Sequence, residues 1–370
     1  MIPSLAVNGR FLTQPLSGVQ RYALELLTAL DALLPADTAP IPVFHPGPAR
    51  ADTPRWRILR PVPAAPLDGH LWEQLTLARA ARRHRLLSLC GAGPLLHPDQ
   101  IVTIHDANIW DAPDGFSARY RRFHAAMRPR LAARARATAT VSHSAARTLA
   151  PRLGLPEARL HVIPNAAGHL IRTAPDPTTL ARHGLTPRGY FLALGNLSPN
   201  KNLARLDAAH TLAQATDPAL PPLAIAGGLA PGLAAAPPVP RPGLRLLGRV
   251  TDAELRALMD GALAFVWPAL SEGFGIPPLE AMACGLPVLS SDTSAMPEVL
   301  GDAPLWFDPR STADIARALA ACATMPATQR AAMVARGQAR ARAYSWEDSA
   351  RRLLALALRP DAPADAPRPA

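Results

Sequence analysis

Two glutamates, Glu272 and Glu280, stand eight residues apart in the stretch "SEGFGIPPLEAMACG". Between them lie Gly273, Phe274, Gly275 and Ile276, then Pro277 and Pro278. Glycines let backbone N–H groups approach a ligand closely. Proline suits the first turn of a helix, where its missing N–H is not needed. A helix start reached through such a loop offers unpaired donors and a positive dipole end to an anion. Carboxylates beside an anion site make sense if they accept hydrogen bonds from hydroxyls. With Glu272 in the loop and Glu280 in the first helical turn, the pattern asks for a ligand with an anion in its middle and hydroxyls on both sides, as in a nucleotide-sugar. The plainer alternative is an ordinary helix start with dipole-favoured acids.

Lys201, in "LGNLSPNKNL", is the only lysine among the 39 lysines and arginines of the chain. An ammonium is a compact point charge on a flexible stem, whereas a guanidinium is a bulkier planar fork. Its place, after a strand and turn and close to a helix start, is where an anion would be met. His105 ends the strand "IVTIH" beside Asp106, which can orient the ring or cap the next helix. Gly18, in "PLSGVQR", reads either as a close-approach glycine or as a plain turn residue.

These residues need a scaffold that brings distant loops together. Short apolar runs alternate with helical stretches: "SLAVNG", "LLSLC", "IVTIHD" and "ATATVSHS" read as buried strands. Helices are expected from about Arg21 to Leu34, in "HLWEQLTLARAARRHR" and in "FSARYRRFHAAMRPRLAARAR". A second series begins near Tyr190, with strands at "YFLALG", "PPLAIAGG", "LRLLG", "LAFVWP" and "PVLSSD". This βα rhythm predicts an α/β protein with two doubly wound, Rossmann-like domains facing a cleft at the carboxyl ends of their strands. The boundaries expected are 1–170 for the first domain and 185–343 for the second, with the linker between Asn165 and Pro187. The Pro-rich "LAPGLAAAPPVPRPG" reads as a surface loop and 359–370 as a disordered tail.

"SEGFGIPPLEAMACGLPV" resembles the E-x7-E signature of retaining glycosyltransferase family 4. "LGRVTDAELRALMDGALAFVWPALSEGFG", "SDTSAMPEVLGDAPLWFDP", "SGVQRYALEL", "HLWEQL", "TVSHSAARTL" and "VIPN" extend that resemblance over nearly the whole chain, and it is nearest to the mannosyltransferase branch of bacterial O-antigen and surface-polysaccharide synthesis. The resemblance implies the GT-B fold, with a crossover helix at about 344–358 packing back on the first domain. It implies transfer of a hexose from a nucleotide-diphosphate sugar, GDP-mannose favoured, to a glycan or lipid-linked acceptor. In that scheme His105, Lys201 and Glu272 carry catalysis. Lys201 holds the diphosphate, together with the amides of Gly273, Phe274, Gly275 and Ile276, and His105 faces the donor sugar and β-phosphate. Glu272 holds sugar hydroxyls, Glu280 the ribose, Val250 the base pocket, and Gly18 and Asn196 border the donor. The resemblance implies that the lysine is paired with an arginine at the positions here occupied by Asn196 or Asn200, so either the site works with one cation plus amides, or Arg249 or another arginine substitutes. Ser142 and Asn165 match family positions with structural roles. The family chemistry is a front-face displacement without a metal or other cofactor. Another GT-B activity, a nucleotide-sugar epimerase or a phosphorylase, is the nearest alternative.

The net charge is +11. No nucleic-acid motif accompanies it, so nucleic acid is not an expected partner. The basic helices of the first domain read either as a solvated Arg-rich face or as a contact with an anionic inner leaflet. No GxGxxG turn with a downstream acid supports a dinucleotide oxidoreductase. Cys90, Cys284 and Cys322 form no CxxC pair and suit reduced thiols in a cytoplasmic protein. No stretch of ~18 apolar residues spans a membrane.

Overall fold

The computed structural model describes residues 4–196, 198–228 and 241–360. Most of the Pro-rich segment after Gly228, and residues 361–370 of the expected tail, lie outside the described residues.

The chain builds two all-parallel sheets. The first contains β1 (Leu5–Asn8), β2 (Ile41–His45), β3 (Leu59–Pro63), β4 (Arg85–Ser88), β5 (Gln100–Thr103), β6 (Ala137–Thr140) and β7 (Leu160–Val162), in the order β3-β2-β1-β4-β5-β6-β7. The second contains β8 (Phe191–Leu194), β9 (Leu223–Ala226), β10 (Leu244–Gly248), β11 (Ala264–Trp267), β12 (Val288–Ser291) and β13 (Leu305–Phe307), in the order β10-β9-β8-β11-β12-β13. Helices cover both sheets, so inner strands such as β1, β4, β9 and β11 are buried along their full length, as parallel strands with two covered faces must be.

Each sheet reverses its strand order once. In the first the reversal lies between β1 and β4, and in the second between β8 and β11. Loops diverge there and leave a crevice at the carboxyl ends of the strands. The loops carrying Asn8 and Cys90 flank the first crevice; those carrying Lys201 and Glu272 flank the second.

Strands β2 and β3 have no counterpart in the sequence reading. Both contain proline, and β3 is an exposed edge where a missing N–H is tolerated. The helix beginning at Gly18 starts three residues earlier than expected. The "HLWEQLTLARA" stretch is not a regular α-helix: one α-turn, Gly69–Leu71, leads into a π-helical segment, Trp72–Leu77, and back to α at Ala78–Ala80. Widened turns of this kind are frequent at functional sites.

The last helix, Trp346–Leu358, returns to the first sheet. Ser349 Oγ donates to Pro164 O at 2.7 Å, and the Trp346 ring lies 6.0 Å from that of Tyr22. Arg359 and Pro360, read from sequence as the start of a disordered tail, are held instead: Arg136 donates to both carbonyls at 2.6 and 2.7 Å.

Candidate active site

The second crevice is built by two loops that fasten to each other. After β8 the chain makes a short 3-10 turn, Pro199–Lys201, and enters the Leu203–Thr216 helix through Asn202. Asn202 is left-handed (φ 56°), a conformation asparagine tolerates better than most residues. Its side chain donates to Pro268 O at 3.1 Å and to Pro309 O at 2.7 Å, and Leu270 N donates to Asn200 O at 2.8 Å. Ser198 Oγ lies 2.6 Å from Oδ1 of both Asn196 and Asn200. Asn196 and Asn200 thus brace the loop with a hydroxyl.

Lys201 Nζ is bonded to Glu272 Oε1 and lies 4.7 Å from the centre of the Trp267 ring. The sole lysine and the loop glutamate therefore meet. Burial pushes the Glu272 carboxyl up, and Lys201 opposes that shift. The Glu272 backbone is pinned by Ser294, whose Oγ accepts from Glu272 N at 3.0 Å and donates to Glu272 O at 2.7 Å. Ser294 is itself left-handed (φ 60°), a strained placement for serine and one the sequence reading did not single out.

The acidic loop also closes on the first sheet. A Cβ on Gly273 would lie 2.1 Å from the carbonyl oxygen of His105, so only glycine fits. The buried Ser142 Oγ donates to Gly273 O at 2.6 Å, and Ser271 Oγ donates to Asn108 Oδ1 at 2.8 Å. Glu298 reaches from the second sheet's side to accept from His143 N and Ser144 N at 2.8 and 2.6 Å, capping the His143–Leu153 helix. Gly275 (φ 87°) then opens the Ile276–Ala283 helix, with Pro277 in its first turn. Phe274 turns inward, 4% exposed, and packs edge-on against Tyr344 at 5.3 Å, so only its backbone faces the loop.

His105 lies two residues beyond the end of β5 rather than within it. Its Nε2 is 2.8 Å from Leu89 O, and its ring meets Tyr22 edge-on at 4.7 Å. Burial pushes its pKa down, favouring the neutral ring. Asp106 accepts from Asn108 N at 3.0 Å, so it caps the next turn.

Glu280 is one turn deeper than expected: it is the fifth residue of its helix, past the first turn, and 4% exposed. It does not meet Glu272 but pairs with His169, Nε2 to Oε1 at 3.2 Å. Burial pushes the Glu280 carboxyl up to about 8, with Arg21 opposing and Asp252 and Glu25 reinforcing. Burial, aided by Arg21 and Arg172, pushes His169 down to about 3. The acid and the imidazole are therefore both uncharged near neutrality. Nearby, Arg21 and Asp252 join the two sheets at 2.5 Å. Gly18 opens its helix opposite Ile276, with ordinary room for a Cβ. Val250, half-buried, precedes the Asp252–Gly261 helix, which Thr251 and Glu254 close with a capping box. Arg249 is exposed and its stem lies against Gly228, beside β9 and β10, with no ion pair among the described residues.

The residues at the first crevice stand outside the sequence motifs. Asn8, Arg10, His70, Glu73, Tyr120, His124 and Arg128 come from five separate elements and meet around one cavity. The signal was His70 with Glu73 and His124 with Arg128, at three- and four-residue spacing inside segments that read as basic faces. His124, Met127, Arg128 and Leu131 are buried, so that helix is not a uniformly solvated Arg-rich surface. Among the described residues, no group of three or more His, Cys, Asp or Glu is arranged to hold a metal ion, and no helix is long and apolar enough to cross a membrane.

Two facing parallel sheets with the site between their switch points define the GT-B architecture of glycosyltransferases. Residues 16–167 match the model for Glycosyltransferase Family 4 and residues 188–324 that for Glycosyl transferases group 1, so the chain belongs to glycosyltransferase family 4. It is 34% identical over 184 residues to O-antigen chain mannosyltransferase B of Escherichia coli, covering 46% of this chain and 45% of that protein. It is 28% identical over 240 residues to O-antigen chain mannosyltransferase RfbU of Salmonella typhimurium, covering 58% of each. These matches span about half the length of each relative. Sucrose-phosphate synthase from Thermosynechococcus elongatus superposes with a TM-score of 0.70 at 18% identity, over 94% of this chain and 96% of that one. The Anabaena protein HepE, solved with UDP and glucose, gives 0.70 at 18% identity over 94% and 97%.

Proposed function

We propose that the protein is a retaining hexosyltransferase that moves mannose from GDP-mannose to a glycan or lipid-linked acceptor in surface-polysaccharide synthesis. The observation that carries this reading is the meeting of Lys201, Glu272 and Gly273 at the second switch point, against the backbone of His105. The mannosyl and O-antigen assignment rests on the relatives at about 30% identity. The domains would divide as 1–170 with the crossover helix, and 185–343.

In this reading the donor diphosphate binds between Lys201 and the start of the Ile276–Ala283 helix, and Lys201 exchanges its bond to Glu272 for one to phosphate. Arg249 supplies the second cation that Asn196 and Asn200 cannot. Glu272, released, accepts from sugar hydroxyls; Glu280 takes the ribose in place of His169; Val250 borders the base. The acceptor oxygen attacks the anomeric carbon on the face that the diphosphate leaves. The bond from that carbon to the β-phosphate oxygen breaks, and the departing oxygen takes the acceptor's proton. Lys201, the loop amides and the uncharged His105 stabilise the leaving group by position and charge. Contacts between the sheets exclude water and limit hydrolysis.

A peripheral membrane contact fits the same picture. Leu71 and Leu75 are 66% and 60% exposed, close in sequence to exposed Arg79, Arg82 and Arg83, and Phe123 projects beside exposed Arg122. Such a surface suits an anionic leaflet.

A panel of nucleoside diphosphates and nucleotide-sugars, followed by thermal shift with and without EDTA, tests the reading. A shift with GDP or GDP-mannose that persists in EDTA, and weakens in Arg249→Ala, is expected. No shift with any nucleotide would contradict it.

A further inference from the structure

Gly18, Arg21 and Glu25, three and four residues apart, share one face of the Gly18–Leu33 helix. Gly18 stands opposite Ile276, one turn before Glu280, and Arg21 and Glu25 both act on the Glu280 carboxyl. Below this face the Glu280–His169 pair ties the Ile276–Ala283 helix to Gly168–Arg172, a short helix in the passage between the two sheets.

The cations of this junction are spoken for. Arg21 donates to both carboxylate oxygens of Asp252 at 2.6 and 2.5 Å, and Arg172 to Glu25 at 2.8 Å. Arg256 donates to Asp260 and to the carbonyls of Leu170 and Ile171. Behind the Ile276–Ala283 helix, Arg340 is turned to the carbonyls of Glu298 and Val299, and the Glu298 carboxylate to His143 N and Ser144 N. Strands β11 and β12 bring no ionisable group, and burial pushes the Cys284 thiol up to about 12.

Among the described residues, no hydrogen-bond donor but His169 stands at the Glu280 carboxyl, Nε2 to Oε1 at 3.2 Å. A carboxylate alone would be a third anion, with Asp252 and Glu25, against the two guanidiniums Arg21 and Arg172. A buried ion pair would need further hydrogen bonds to offset its desolvation. His169 Nδ1 is buried and has no partner, so the ring is not held as an imidazolium, which must donate from both nitrogens. The pair is therefore an acid against a neutral ring. The shifts agree: burial pushes Glu280 up to about 8 and, with Arg21 and Arg172, His169 down to about 3.

A ribose on Glu280 reverses this balance. Its two hydroxyls donate, and donated hydrogen bonds favour the carboxylate over the acid. Arg21 and Arg172 oppose charging of the imidazole, so the ring cannot store the proton.

We propose that His169 is a positioning residue that stands in for the ribose on Glu280 in the empty enzyme, and that seating the donor displaces it and releases one proton to water. The O–H bond of the Glu280 carboxyl breaks, its proton leaves for solvent, and both ribose hydroxyls keep theirs. This rests on the transferase reading above and adds a regulation to it: donor affinity climbs with pH through neutrality and levels off once Glu280 ionises unaided.

The test uses calorimetry on the full chain with GDP and 2′,3′-dideoxy-GDP. The analogue keeps the base and the diphosphate, so it cancels any titration of the phosphates and of the groups that hold them. At pH 7, in two buffers of different ionisation heat, about one proton should be released with GDP and none with the analogue. The preference for GDP over the analogue should grow at least tenfold from pH 6 to pH 8, by the same linkage. Glu280→Gln should abolish both the proton release and that growth. His169→Ala should bind GDP about 2–10-fold more tightly at pH 7, because one competing hydrogen bond is gone; a merely structural histidine would weaken binding when lost. If His169→Ala fails to fold, the wild-type and Glu280→Gln proton counts decide. GDP binding without proton release, or a folded His169→Ala that binds GDP no more tightly than wild type, overturns the inference and leaves the donor reading standing. No GDP binding by the wild type at any pH would overturn both.

Discussion

The two switch points occupy equivalent places in their sheets and are built in opposite ways. At the second, the charged groups are paired: Lys201 holds Glu272, and Ser294, Ser142 and Asn202 fasten the surrounding backbone. At the first, the paired network of Glu73 with Asn8 and Arg10 lies in the floor, while both His124 ring nitrogens and Arg128 Nε have no partner and Arg128 Nη1 donates to Asp106 O at 3.3 Å. A charged ligand can displace an ion pair because it brings charge of its own. The contrast supports the proposed placement of the anionic donor at the second sheet.

Breaking the donor side should produce the largest effects. Glu272→Ala is expected to lower kcat/KM for transfer about 10²–10³-fold, the scale for losing one preorganised transition-state contact, in a steady-state assay with GDP-mannose. Its melting temperature should stay close to wild type. Gly273→Ala adds a Cβ that would lie 2.1 Å from the His105 carbonyl and so should force the sheets apart. About 10²-fold loss of activity is expected, as for a displacement of about 1 Å at a reacting centre. A shape change seen by small-angle scattering should accompany it. Full activity in either variant would break the assignment.

A smaller effect sharpens the comparison through pH. Glu280 keeps its proton to about 8 in the fold, against about 4.5 when exposed. Between those values the folded state binds the extra proton, so stability falls as pH rises through the window. Urea denaturation at pH 5 and pH 8 should show this loss in the wild type and a flatter dependence in Glu280→Gln. An identical slope in the two proteins would mean that the carboxyl is already ionised at its buried site.

How much was legible in the sequence follows the same division. The second switch point was readable because its parts are contiguous and depend on residue types with special backbone behaviour: two glycines, two prolines, one lysine. The alternating apolar runs likewise announced buried parallel strands. The proline-bearing β2 and β3 were hidden because their residues disfavour strands in isolation. The depth of Glu280 was misjudged by a turn, since the helix begins at Ile276 and buries that side chain against His169. The first crevice was illegible for a different reason. His70 lies in the α-turn that leads into the π-helical segment carrying Glu73, a register that ordinary periodicity does not describe, and His124 and Arg128 are inward residues of a helix whose many arginines mask its buried stripe. Only the tertiary arrangement brings them together with Asn8 and Arg10.

The central claim is that an ammonium and a helix start at the second switch point grip a diphosphate. Isothermal titration of GDP into the wild-type protein and Lys201→Ala, in EDTA, tests it most directly. The wild type should bind without a metal, and the variant at least tenfold more weakly. Equal affinity in the two proteins would contradict it.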